Sequence, residues 1–204
     1  MTWLRITGVQ KDEADKASVT KRKTVYFLHS QPLGVDMGFK KTSDTIAISF
    51  GLDETGANTF TQEQVDLQLD VLNNEIFVVL AIDLNPSAPD AIAATDTTTS
   101  MYLSSVSRTS IAGLGQTNVL AAAERQIRAA GFVDGGVGFS HMASESPTGP
   151  VDYIGIIATN NFFVGLKGTN NANAKSGNGR VWGYRARADA STYAALVQSE
   201  VLSA

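Results

Sequence analysis

Residues 151–188 read VDYIGIIATNNFFVGLKGTNNANAKSGNGRVWGYRARA, and this stretch decides the fold class. Short apolar runs, such as residues 162–167 and 180–187, are separated by segments rich in asparagine and glycine. β-Branched and aromatic residues favour strands, whereas Asn and Gly tolerate the left-handed backbone of tight turns. The stretch therefore predicts two or three antiparallel strands joined by turns.

The composition indicates a folded chain without covalent cross-links. The 204 residues are 43% hydrophobic and 18% charged, as in globular proteins, and all-β domains often reach this length as single units. The chain has no cysteine, which excludes disulfides and thiolate-bound zinc, and its two histidines speak against any zinc site. We therefore expect one main domain with no metal and no cofactor.

No targeting or membrane segment is predicted. The first residues, MTWLRITGVQKDEADK, lack the basic and then apolar pattern of a signal peptide. The longest apolar run, residues 76–82, is far shorter than the roughly 20 residues of a membrane-spanning helix. We expect the protein to be synthesised and folded in a cytoplasm.

Charge is distributed unevenly along the chain. Residues 1–41 carry eight Lys/Arg and four Asp/Glu, residues 42–107 carry ten Asp/Glu and no Lys or Arg, and residues 108–204 carry eight basic and six acidic residues. The three segments therefore have net charges of +4, −10 and +2, which sum to the net charge of −4. Segregated charge can steer one surface toward a complementary one, including a second copy of the chain, although loops of one sign can also cluster by chance.

Several further strands are predicted from residue patterns. Residues 24–29 and 45–50 are rich in β-branched and aromatic residues. Residues 65–72 alternate apolar and polar side chains, which favours a strand, although a capping-box pattern at residues 61–64 leaves a helix as the alternative. Residues 75–84, EIFVVLAIDL, predict a strand buried on both faces, and Asn73 and Asn74 predict a hairpin with the strand before it.

The middle and the end of the chain predict one loop, one strand and two helices. Residues 86–99 form a loop rich in Pro, Ala, Asp and Thr, and residues 101–111 return to strand character. Residues 118–130 predict a helix, because apolar residues recur at helical spacing between a possible cap and Gly131. Apolar residues at helical spacing also predict a short C-terminal helix within residues 191–204.

These elements together predict a mainly all-β protein, a β-sandwich of jelly-roll or Greek-key type with one mid-chain helix and a short C-terminal helix. The expected division is an N-terminal arm over residues 1–23, the sandwich over residues 24–190 and a helical tail over residues 191–204.

No residue pattern indicates catalysis, so we expect a protein that is not an enzyme. Ser140 and His141 are adjacent, and neighbouring residues of a strand point to opposite faces, which rules out a nucleophile–base pair. The glycines at 131–138 follow the predicted helix instead of preceding one, so tight turns explain them better than a phosphate loop. The acidic residues do not match a calcium loop and are interpreted as a solvated face; they are Asp53, Glu54, Asp66 and Asp70.

Two groups of side chains are candidates for contacts with partners. Trp182 and Tyr184 would share one face of the last strand, where they either stack on sugar rings or close the core. The basic candidates for subunit contacts are Lys21, Arg22, Lys23, Lys40, Lys41, Arg185 and Arg187. The last two arginines would share the opposite face of that strand, and there they would suit a sheet edge that meets carboxylates of a neighbouring subunit. The lysine-rich clusters could also meet nucleic acid or lipid headgroups, but no aromatic residues accompany them.

The order of EIFVVLAIDL, a mid-chain helix, YIGIIATNNFFVGLKGTNN and GRVWGYRARA resembles the single jelly-roll coat proteins of tailless icosahedral viruses and phages. The resemblance covers mainly residues 75–188 and rests on strand order and loop character. It implies a capsid subunit that self-assembles into a shell in the virion, with copies of itself and other virion proteins as partners. The N-terminal arm is less basic than genome packaging by this chain would need.

Two other functions fit the same pattern. A phage tail-tube or decoration protein would share the β-rich composition without cysteine. A carbohydrate-binding β-sandwich would use Trp182 and Tyr184 as a stacking platform and would be a stable monomer.

Overall fold

The described strands are divided between two antiparallel sheets that pack face to face. The computed structural model describes residues 38–129, 131, 136–141, 143–145 and 152–202, which belong to one compact unit. Residues 1–23 and the strand predicted at residues 24–29 lie outside the described residues. The described strands are β1 Phe39–Lys41, β2 Ile46–Asp53, β3 Thr61–Asp66, β4 Glu75–Pro86, β5 Thr97–Ser104, β6 Val119–Arg128, β7 Val137–His141, β8 Ala143–Glu145, β9 Gly155–Ile157, β10 Asn161–Thr169 and β11 Ser176–Ala188. Helix α1 spans Ala190–Leu202.

Sheet A is built around two long strands, β4 and β11, which pair along most of their lengths. The other edge of β11 pairs with β2 and, further along, with β1, while the other edge of β4 pairs with β8 and β9. Sheet B has the order β3, β10, β5, β6, β7. The predicted β-sandwich is confirmed.

The main core fills the space between the sheets. Alternation along each strand sends one set of side chains inward, and many of them are fully buried. Sheet A contributes Phe77 and Val79 from β4, and sheet B contributes Leu103 from β5 and Phe162 from β10. The register of β4 against β11 shifts between Trp182 and Gly183, so Leu80 is an extra residue and the inward positions of β4 change from Phe77 and Val79 to Ile82 and Leu84.

A second apolar cluster lies on the outer face of sheet A. Ile76 and Val78 of β4 point outward there, and α1 covers them with side chains that include Tyr193 and Leu196. Burial on both faces explains why residues 75–84 read as a nearly continuous apolar run. Asp189 caps α1 by accepting hydrogen bonds from the Thr192 backbone N–H (2.8 Å) and side chain (2.9 Å). The predicted C-terminal helix is confirmed.

The mid-chain helix predicted at residues 118–130 is wrong, because this segment is strand β6. It pairs along one edge with β5 and along the other with β7, and the small side chains of Ala121 and Ala123 alternate into the core. Alanine-rich segments satisfy helical and strand periods equally well, and two paired edges outweigh intrinsic helix propensity.

The strand interpretation of residues 65–72 is only partly right. β3 ends at Asp66, yet Leu67 and Leu69 remain buried while Gln68 is exposed, so the predicted alternation continues beyond the strand. Residues Val71–Asn73 form a 3-10 helix, and Val71 is exposed instead of sharing the buried face. The hairpin with β4 is also wrong, because β3 pairs with β10 in sheet B while β4 belongs to sheet A.

Two other boundaries differ from the prediction. The loop that follows β4 ends earlier than expected, since β5 begins at Thr97 and stops at Ser104 instead of continuing to residue 111. The last strand was expected to suit a sheet edge, but β11 is the central strand of sheet A, with β1 and β2 on one side and β4 on the other.

Candidate functional site

Three of the predicted basic residues lie at the corner of sheet A where β1 pairs with β11. Lys40 lies directly opposite Arg187, and both side chains are exposed. Like charges at opposed positions repel, and Glu75 of β4 lies opposite Arg187 on its other side, where its carboxylate offsets part of this positive charge. Lys41 is exposed on the other face of β1, where its Nζ lies 4.7 Å from the centre of the Tyr184 ring. We refer to Lys40, Lys41 and Arg187 as the basic corner.

Arg185 is engaged within its own chain. Its Nη2 donates a hydrogen bond to the Leu67 backbone oxygen (2.9 Å), and its Nη1 lies 4.0 Å from Oε2 of Glu75. The same Glu75 oxygen accepts a hydrogen bond from the Asp70 backbone N–H (2.9 Å). Arg185 therefore fastens the segment after β3 to sheet A. Lys21, Arg22 and Lys23 lie outside the described residues.

Trp182 and Tyr184 share the outer face of sheet A, as the strand period predicts, but their surroundings differ. Tyr184 is half-buried in the second apolar cluster beneath α1, and this burial raises the pKa of its phenol. Trp182 is half-buried farther along β11, beside an open cleft. Its neighbours across the sheet are Ala47 of β2 and Ala81 of β4, whose short side chains leave the sides of the indole uncovered.

The cleft beside Trp182 has a volume of about 640 Å³. We call it the Trp182 cleft; its polar lining residues are Ser49, Asp83, Asn85, Asn178 and Arg180. Sequence analysis singled out Trp182 but missed these polar residues, because three different strands bring them together. The signal that could have found them is their strand alternation with buried residues such as Leu84 and Val181.

Strand β7 carries a surface that sequence analysis did not identify. Val137 is 52% exposed and Phe139 is 56% exposed, and their cross-strand partners Arg128 and Gln126 lie on β6. Beside them, a cavity of about 360 Å³ is lined by Leu114, which is also exposed, and by His141. Among the described strands, β7 pairs with β6 alone, so this apolar surface is at the edge of sheet B. We call Val137, Phe139 and Leu114 the β7 surface.

His141 does not form a catalytic pair with a serine in the described structure. Ser140 and His141 are consecutive residues of β7. A row across sheet B places Ser100 opposite Glu124 and Glu124 opposite His141, so the carboxylate is between the hydroxyl and the imidazole. Ser100 Oγ donates a hydrogen bond to Glu124 Oε2 (3.0 Å), and Gln126 donates to the other carboxylate oxygen. This order lacks the hydroxyl–imidazole contact of a nucleophile with its general base.

The acidic residues suggested by sequence analysis do not act as one group. Glu54 is buried, contrary to the expected solvated face, and accepts hydrogen bonds from the backbone N–H groups of Gly168 (2.5 Å) and Lys175 (2.8 Å). The buried Lys175 side chain pairs with Asp90, and this bond holds the pKa of Asp90 below its ordinary value. Glu54 therefore ties the end of β2 to β10 and to the start of β11, and the Lys175–Asp90 pair ties the loop before β11 to the connection between β4 and β5. Within the described ranges, no three His, Cys, Asp or Glu are grouped closely enough to hold a metal ion.

No helix in the described part of the chain is long and apolar enough to cross a membrane.

Comparisons with known proteins provide little further information. No protein-family model matches the chain, and no curated protein matches it. Among the solved structures that match is a chain from desmodium yellow mottle tymovirus, with 12% sequence identity and a TM-score of 0.27. The match covers 81% of this chain and 95% of the viral chain. At this TM-score the likeness carries no argument about function.

Proposed function

We propose that this protein is a viral structural protein, a capsid subunit that assembles with copies of itself through repeated contacts in the virion. The observation that carries the proposal is the β7 surface, an exposed apolar patch on the edge strand of a sheet. An edge strand presents unpaired backbone groups, and proteins that stay monomeric protect such edges with charges, prolines or bulges. Val137 and Phe139 instead add apolar area, which suits a protein–protein contact.

The order of the strands in the two sheets is compatible with a capsid subunit. In sheet A, β2, β11, β4 and the β8–β9 edge lie in order, and in sheet B the order is β3, β10, β5 and β6. This interleaving is consistent with a jelly roll, a topology found in viral capsids but also in lectins and cupins. Because one fold hosts many functions, the surfaces must distinguish them.

The basic corner supplies a second contact in this proposal. Within the sheet, Glu75 is the carboxylate opposite Arg187, and it also lies 4.0 Å from Arg185, so a neighbouring subunit that brought carboxylates to the exposed Lys40 and Arg187 would add favourable charge pairs. Exposed carboxylates are present on edge strand β3 of the same chain, at Glu63 and Asp66. A contact of this kind weakens as salt screens it. Lys21, Arg22, Lys23 and Lys41 belong to the same proposed contact, whereas Arg185 acts mainly within its own subunit.

The decisive experiment measures the mass distribution of the full chain by size exclusion with light scattering at low and physiological salt, together with electron microscopy. We expect large regular particles whose abundance depends on salt. Closed shells support a capsid subunit, whereas tubes or rings indicate a tail-tube protein instead. A protein that stays monomeric at all concentrations and salt conditions contradicts self-assembly.

Matched variants test whether the β7 surface carries the assembly. The double substitution Val137→Lys with Phe139→Lys places two charges in the proposed contact, and it should abolish particles while leaving the thermal unfolding temperature nearly unchanged, because both side chains are exposed. Leu72→Lys is the control, since Leu72 is 96% exposed on the 3-10 helix away from β7. Particles that survive the double substitution would exclude the β7 surface as the contact.

A further inference from the structure

We propose that the Trp182 cleft binds a short neutral carbohydrate. This inference is independent of assembly, because the cleft lies on the outer face of sheet A whereas the β7 surface lies at the edge of sheet B. A saccharide ring has an apolar C–H face and a rim of hydroxyl groups. Its site therefore needs an aromatic plane next to a mixture of hydrogen-bond donors and acceptors.

The aromatic plane is the indole of Trp182, which the structure holds in place. The guanidinium carbon of Arg180 lies 5.7 Å from the centre of the ring, and Arg180 Nε donates a hydrogen bond to Ser49 Oγ (3.0 Å). The hydrogen bond holds the guanidinium, and the cation–π contact places it over one face of the indole, so a sugar would stack on the other face. Ala47 and Ala81, on either side, leave room along the ring edges.

The mixture of donors and acceptors comes from two rows across the sheet. Asp83 lies opposite Arg180, and Asn85 lies opposite Asn178. The two asparagine side chains are joined by a long hydrogen bond of 3.5 Å, and Asn85 also accepts one from Arg125 (2.9 Å). No hydrogen bond or ion pair joins the exposed Asp83 carboxylate to another described residue. Asp83 therefore has acceptor capacity for sugar hydroxyls.

The charge and size of the cleft define the class of ligand. The positive charge of Arg180 and the negative charge of Asp83 face the same cleft and offset each other, so neither an anion nor a cation is favoured over a neutral molecule. The volume of about 640 Å³ lies within the range of small-molecule sites. Tyr184 does not extend the platform, because it is held beneath α1 with the second apolar cluster.

The test is an array of immobilised neutral saccharides probed with the full chain, followed by calorimetric titration of the best binder. We expect binding by the wild type and a loss of about tenfold or more in affinity for Trp182→Ala, the equivalent of about 1.4 kcal/mol. Asp83→Ala should weaken binding similarly and leave the unfolding temperature unchanged, because its side chain is exposed.

Asp53→Ala is the matched control, since Asp53 is also an exposed aspartate of sheet A but does not line the cleft. This variant should bind as the wild type does. The proposal is overturned if no neutral saccharide binds, or if Trp182→Ala and Asp83→Ala bind as tightly as Asp53→Ala. Because assembly is read out by particle mass, either result leaves the proposed capsid role to its own test.

Discussion

Replacing Glu200 should loosen the attachment of helix α1 to the sandwich. Glu200 is only 6% exposed, and its carboxylate accepts hydrogen bonds from the backbone N–H groups of Ala158 (3.0 Å) and Thr159 (3.0 Å). These two amides lie between β9 and β10, so the contact ties the last turn of α1 to a connection between the two sheets. Glu200→Ala removes both acceptors.

The size of the effect follows from these two hydrogen bonds. Each backbone N–H that loses its acceptor away from water costs about 1–3 kcal/mol, and removal of the buried carboxylate, which is itself costly to desolvate, offsets part of the sum. We expect a net loss of about 2–3 kcal/mol in the free energy of unfolding for Glu200→Ala. For a domain of this size, that loss lowers the unfolding temperature by about 5–10 °C.

The pH dependence provides an independent signature. Burial raises the pKa of Glu200 above its ordinary value, although the Ala158 and Thr159 donors oppose the shift. A raised pKa means that the folded state binds the proton more tightly than the unfolded state does. The resulting stability is fully present below the unfolded pKa and is lost as pH rises through the folded pKa. Glu200→Gln does not titrate, so this decline should be absent from its pH profile.

The assay combines thermal unfolding followed by circular dichroism with hydrogen exchange at the amides of Ala158 and Thr159. Both amides should exchange faster in Glu200→Ala. Gln198→Ala is the control, because Gln198 is exposed on the same helix. The reasoning is refuted if Glu200→Ala lowers the unfolding temperature no more than Gln198→Ala does and leaves the exchange of both amides unchanged.

Two further predictions concern a close contact and a helix cap. A Cβ on Gly165 would overlap the buried Tyr102 ring, so Gly165→Ala should lower the free energy of unfolding by about 1–3 kcal/mol, as measured by chemical denaturation. Gly113→Ala is the control: this position has open space around it, so the free energy of unfolding should change by no more than about 0.5 kcal/mol. Hydrogen bonds from Ser191 and Thr192 lower the pKa of Asp189 to about 2. The cap therefore stabilises α1 at pH values above the ordinary Asp pKa, and this stabilisation is lost as pH falls through about 2. An acid titration of helical ellipticity checks this, and identical titrations of the wild type and Asp189→Ala would contradict it.

Secondary structure could be predicted from the sequence where the pattern of apolar residues fits only one kind of element. Residues 76–79 are buried by the main core on one face and by the cluster under α1 on the other, so their continuous hydrophobicity is a direct result of their position, whereas the outer face is open again at Asp83. The C-terminal helix was predictable because its apolar residues recur at helical spacing and pack against the outer face of sheet A. In contrast, the alanines of β6 fit two periods, and only pairing with β5 and β7 selects the strand.

The candidate sites were predictable only within single strands. A period of two correctly placed Trp182 and Tyr184 on one face, but the different neighbours of these two half-buried rings depend on the position of α1 and on Ala47 and Ala81 across the sheet. Likewise, nothing local distinguishes Arg185 from Arg187. Leu67, more than one hundred residues earlier in the chain, provides the carbonyl that engages the first of them.

The central position of β11 in sheet A determines when the fold can be completed. Among the described strands, β1 and β2 pair only with β11, which follows them by more than one hundred residues. During synthesis, β1 and β2 cannot pair with β11 until β11 has left the ribosome. Until then, apolar side chains such as Phe50 and Leu52 lack their final neighbours. Within the described part of the chain, β1 and β2 therefore gain their partner strand late in synthesis, and truncation before β11 removes it.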